Sequence, residues 1–217
     1  MAVPSSSHNE TNVVLSDGGS GRKIAIVEVA EARALARRLL ADDMPQRWSH
    51  VQGVAKRAEL FVDLVPNWDA LAASANLHDI GYASELVDTG FHQIDGARYL
   101  RREGWDESVV DLVAHHSDAQ IRADLNGLGD IYAAEFPRNE TLPHRQLHFC
   151  DMTVALDGTP TTVEERLADM RHRHRNNPPM LDYLDRREDA LIALVAGTWA
   201  ALEQAGGTRT GQTLSAP

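Results

Sequence analysis

This 217-residue sequence predicts an all-α bundle. Three observations point there: apolar residues recur at helical spacing almost throughout, proline and glycine fall at the breaks between those runs, and no alternating β pattern of useful length appears. Hydrophobic residues make up 43% and charged residues 24%, as in ordinary folded domains. No stretch approaches the roughly 18 apolar residues of a membrane span, and the first residues lack the apolar core of a secretory signal. A cytoplasmic protein without a membrane partner is the expectation.

The first helix is read over residues 28–41, with Ala32, Leu35, Ala36, Leu39 and Leu40 on one face. Pro45 opens a second, which carries Val51, Val54, Ala55, Ala58 and Phe61 as a stripe and ends before Pro66. An Ala-rich third helix spans residues 68–78 and stops at Gly81. Residues 92–103 and 107–116 form two more, divided by Gly104. Residues 117–142, with Gly127, Gly129 and Pro137, read as loop and short helix, followed by a helix over 143–153. Thr161 and Thr162, each with Glu three residues on, offer a capping box for a helix to about His174. Residues 176–179 break the chain before a last helix over 180–204. A short strand is conceivable only around residues 12–15 or 23–27. The division expected is an N-terminal arm over 1–23, one domain over 24–204 and a tail over 205–217.

The 21 basic and 32 acidic side chains leave a net charge of −11, which disfavours a broad nucleic-acid surface. A single cysteine, Cys150, excludes a disulfide framework and a Cys-rich zinc finger, so a metal would have to be held by histidine and carboxylate. The ten histidines are the unusual entry in the composition. His50 sits inside the second helix, His78-Asp79 ends the third, His92 opens the fourth, His115-His116 closes the fifth and Asp151 interrupts Phe149-Cys150-Met152. A buried carboxylate without a partner is costly, and a shared divalent cation removes that cost. Imidazole and carboxylate together suit Fe, Mn, Zn, Co or Ni.

The succession His50, His78-Asp79-Ile80-Gly81, Asp151 resembles the HD superfamily of metal-dependent phosphohydrolases, in which these four positions bind one divalent ion in an all-helical domain. His92-Gln93-Ile94-Asp95-Gly96 is similar to the His-x-x-x-Gly element of dinuclear members such as the HD-GYP phosphodiesterases and bacterial diadenosine tetraphosphate hydrolases, and His115-His116-Ser117 to their next metal-binding element. Tyr82 stands where HD-GYP proteins usually carry Lys, and their tripeptide is absent. The likeness is nearer to small stand-alone bacterial HD-domain proteins, and it spans roughly residues 39–154.

The resemblance implies a bundle of about six to eight helices around a metal cleft. It implies two divalent ions, Fe or Mn favoured, with Asp79 as the bridge. His50, His78 and Asp151 would complete one site; His92 and His116 the other, with His115 a ligand or a support. Asp95 and Asp118 are candidates to orient the imidazoles. Arg47 precedes His50 by three residues and Arg57 follows by seven, so both share its helix face and are candidate substrate donors beside Asp79. The implied partner is a small phosphorylated metabolite or nucleotide. The alternative is an HD-fold diiron oxygenase, which uses the same ligands. His144, His148, His172 and His174 match no element and are expected at the surface or in structural roles. The last helix can pack internally or in a dimer.

Overall fold

A computed structural model describes residues 20–137 and 142–206. The proposed strand over 12–15, most of the N-terminal arm and the tail beyond Gly206 lie outside these residues.

The chain order is α1 (Ser20–Leu40), α2 (Pro45–Ala58), α3 (Trp68–Leu77), α4 (His92–Arg102), α5 (Glu107–His115), α6 (Ala119–Leu125), α7 (Gly129–Glu135), α8 (Leu142–Met152), α9 (Val163–Arg173) and α10 (Pro178–Gln204). Among the described residues the β structure is a single bridge, Val154 to Pro160. The second suggested strand, residues 23–27, is instead part of α1: the apolar run there continues the helical pattern of Ala32 and Ala36. The stretch read as loop and short helix folds into both α6 and α7.

Helix α3 is the centre. Ala70 to Leu77 are all buried, and α1, α2, α5 and α8 pack around it. A helix apolar on every side must be enclosed, and its alanines let the neighbours approach closely. Its C-terminal end delivers His78 and Asp79 into the interior. α2 adds His50 beside Val51 and Val54, and α8 adds Asp151 beside Leu147 and Cys150. α10 buries Leu184, Leu191, Val195 and Leu202.

The turn after α3 depends on close approach. A Cβ at Gly81 would stand 2.0 Å from the His92 carbonyl oxygen and 2.7 Å from the Gly96 nitrogen. The His-Asp turn is therefore pressed against the first turn of α4, which sets His92 beside Asp79.

The capping box is formed: the Thr162 hydroxyl accepts from the Glu165 N–H, and the Glu165 carboxylate accepts from the Thr162 N–H. Thr162→Ala is expected to cost about 1 kcal/mol of stability, read as a lowered urea midpoint.

Candidate metal centre

Five separate elements bring their polar side chains to one place. His50, His78 and Asp151 each offer a ligand atom within 4.8 Å of the others, and Asp79, His92 and His116 do the same. Asp79 links the two groups: its Oδ2 lies 3.4 Å from His78 Nε2 and 3.9 Å from His50 Nε2, and its Oδ1 lies 3.5 Å from His92 Nε2 and 3.8 Å from His116 Nε2. His50, His78, Asp79, His92, His116 and Asp151 are all buried.

The hydrogen bonds fix the imidazole tautomers. His50 Nδ1 is 3.1 Å from the Ala155 carbonyl, His78 Nδ1 is 3.0 Å from Ala75 and His116 Nδ1 is 2.6 Å from Val113. A carbonyl only accepts, so each Nδ1 carries the proton, and the neutral ring turns an Nε2 lone pair inward. His78 Nε2 has no hydrogen-bond partner. His116 Nε2 faces His92 Nε2 at 3.2 Å, and His50 Nε2 faces Asp151 Oδ1 at 3.0 Å. Inward lone pairs confronting carboxylate oxygens repel unless a proton or a cation stands between them. The donor set therefore fits divalent metal ions, with backbone carbonyls rather than carboxylates orienting the ligands.

The electrostatics agree for the other groups, while at His78 burial works against the charge and the neighbouring Asp79 raises the pKa. Burial works against the charge of Asp79, yet the Arg47 guanidinium, whose Nη1 donates to Oδ2 at 2.7 Å, holds it well below the usual carboxylate range. Asp151 is held well below that range too: burial opposes its charge, and the Arg166 guanidinium beside it outweighs that. Burial pushes His50, His92 and His116 down, keeping them neutral as ligands must be.

One strained turn aims His116. Ser117 and Asp118 follow it in the left-handed region, with φ of 55° and 53°. Two successive non-glycine residues there cost energy that surrounding bonds must offset. The Ser117 hydroxyl donates to Asp151 Oδ2, and Asp118 accepts from Tyr183 and Arg187.

Several expected residues lie elsewhere. His115 points away from the cleft and groups with Asp111 and His144, because the chain turns from helical to extended at His116. Arg57 does not line the cleft; its Nη2 donates to the Thr153 carbonyl at 3.2 Å, and its guanidinium lies over Trp199. Arg47 does line it, with its guanidinium 4.2 Å from the Tyr82 ring centre. Tyr82 in turn stacks on His92 at 3.9 Å. Asp95 accepts from the N–H groups of Thr89 and Gly90, closing the turn before α4 instead of orienting an imidazole. Asp118 serves the turn just described. His144 and His148, expected at the surface or in structural roles, are each 6% exposed.

Arg166 escaped the sequence reading. It is 5% exposed, and its Nη2 donates to Asp151 Oδ1 at 3.2 Å and lies 3.4 Å from His50 Nε2. The signal was present: Val163, Arg166, Leu167 and Met170 share one stripe of α9, so a basic residue occupies an apolar face. Arg47, Arg122, Arg166, Arg173 and His174 line a narrow cleft of about 40 Å³ above Asp79 and Asp151.

Comparison with known proteins places these residues in a family. A stretch of 120 residues is 32% identical to the tRNA (cytidine(56)-2'-O)-methyltransferase of Picrophilus torridus; it covers 54% of this chain and 33% of that protein. The chain thus spans about one third of the length of that relative. No solved structure matches. The HD domain family matches residues 47–170, the segment that carries His50, His78, Asp79, His92, His116, Asp151 and Arg166, and the chain belongs to that family.

Proposed function

We propose that this protein is a metal-dependent phosphohydrolase acting on the phosphate mono- or diester of a small metabolite or nucleotide. The observation that carries this reading is the pair of His/Asp groups joined at Asp79 beneath an arginine-lined cleft. His50, His78 and Asp151 would hold one divalent ion and His92 and His116 a second, with Asp79 shared; Fe or Mn is favoured. When bound, such ions lower the pKa of a water and offset charge on phosphoryl oxygens.

The remaining work falls to the chain. Arg166 and Arg47 present planar forks that match phosphoryl oxygens, and both are already held by Asp151 and Asp79. Val113, Ala155 and Ala75 carbonyls keep the imidazoles in register. Tyr82, stacked between Arg47 and His92, keeps the arginine over Asp79. The narrow cleft suits a phosphoryl group on a small molecule. The tRNA named for the Picrophilus protein is not carried over, because a net charge of −11 disfavours a broad phosphate-binding surface.

Protein reloaded with Mn²⁺ or Fe²⁺ under low oxygen is expected to release phosphate from members of a mono- and diester panel. A fully metallated protein that cleaves none of them overturns the reading; oxygen uptake with a screened metabolite would replace it with HD-fold diiron oxygenase chemistry. Arg166→Met is expected to lower kcat/KM by about tenfold or more, since a hydrogen bond to a charged group contributes about 1.5–3 kcal/mol. Bound metal should be largely retained, as measured by elemental analysis.

A further inference from the structure

On the far side of α5 from the cleft stands a second set of ligand-type side chains. Asp111 and His115 are four residues apart on α5 and so share a face, and His144 faces them from α8. Each offers a ligand atom within 4.8 Å of the others. His144 Nε2 is 3.1 Å from Asp111 Oδ2. His115 Nδ1 is 3.0 Å from the Asp111 carbonyl oxygen and 3.4 Å from its Oδ1.

Both oxygens facing His115 Nδ1 are acceptors, so that nitrogen carries the proton and Nε2 presents a lone pair. This Nε2 is buried, and although the Phe136 backbone lies near the ring, it makes no well-formed hydrogen bond. One turn beyond His144, the His148 Nε2 is likewise buried without a partner, on a side chain 6% exposed. A purely structural ion pair between His144 and Asp111 would leave these two buried nitrogens unpaired, at the cost that buried polar atoms carry. His115, His144 and His148 line a cavity of about 640 Å³, walled on the α10 side by Ala190, Ala193 and Leu194.

We infer that Asp111, His115 and His144 form a cation site separate from the HD cleft. Two imidazoles and one carboxylate select a borderline ion of the Zn²⁺ class over Mg²⁺ or Ca²⁺, which prefer oxygen. Three protein ligands leave a coordination position open, and the cavity containing His148 lies alongside. The site links α5 to α8, the two helices whose ends carry His116 and Asp151.

The test uses the full chain, stripped with chelator and dialysed against Zn²⁺ alone, with bound zinc counted per chain. His144→Ala and Asp111→Asn are each expected to bind one equivalent less than the unaltered protein. His116→Ala, which breaks the cleft instead, is expected to keep that equivalent. Co²⁺ in place of Zn²⁺ should give a visible absorption band in His116→Ala that the double variant His116→Ala with His144→Ala lacks. Circular dichroism checks folding, and His144→Gln is read in place of His144→Ala should the latter unfold. Unchanged zinc content in the folded His144 and Asp111 variants overturns the site, as does loss of all bound zinc in His116→Ala.

Discussion

Asp79→Ala is expected to abolish metal binding in the cleft and, with it, hydrolysis. Its two oxygens face four imidazoles drawn from α2, α4 and the ends of α3 and α5, so neither ligand group is complete without it. The substitution also strands Arg47, whose side chain is only 16% exposed and whose Nη1 lies 2.7 Å from the lost oxygen. Removing one partner of a buried ion pair costs about 3–5 kcal/mol, so a lower melting temperature should accompany the loss. Stability and chemistry separate in Asp79→Asn, which keeps the shape and an acceptor for Arg47. That variant should melt closer to the unaltered protein and still hold far less metal. Full metal content in a folded Asp79→Ala protein would remove Asp79 from its shared position.

Gly81→Ala is expected to damage the site from outside it. The added methyl would need space 2.0 Å from the His92 carbonyl oxygen and 2.7 Å from the Gly96 nitrogen, both backbone atoms that cannot turn aside. Overpacking of this kind costs about 1–3 kcal/mol. The larger effect is positional. The displaced element is the first turn of α4, which carries His92, and a shift of about 1 Å at a catalytic group lowers rates by about a hundredfold. Denaturant unfolding reads the first effect, and kcat under saturating metal reads the second. A Gly81→Ala protein with unaltered stability and rate would mean that the turn and α4 are not pressed together.

Most of the fold was legible because helical periodicity and breakers act locally. The capping box at Thr162 and the proline opening α2 mark helix starts by chemistry that needs no distant partner, whereas Pro178 and Pro179, read as part of a break, instead open α10. The apolar stretch over residues 23–27 was ambiguous for the same reason: five residues are too few to tell strand from helix, and only its continuation into Ala32 and Ala36 decides it. In the site, the order of His50, His78-Asp79, His92, His116 and Asp151 was readable. Their convergence depends on contacts no short window contains, such as Gly81 against α4.

The departures share a cause. Adjacent residues at a helix end can point to opposite sides, so His115 and His116 part company where the backbone turns extended. Arg57 shares a helix face with His50, but two turns carry it past the cleft to Thr153 and Trp199. Arg166 was hidden because a charge on an apolar stripe reads as a snorkelling side chain until its buried partner, Asp151, is placed across from it.

Anomalous diffraction from crystals soaked in Mn²⁺ tests the central claim most directly. Two peaks are expected on opposite sides of Asp79, one among His50, His78 and Asp151 and the other between His92 and His116. A cleft that shows no anomalous density in fully soaked crystals, with Arg47 still paired to Asp79, would contradict it.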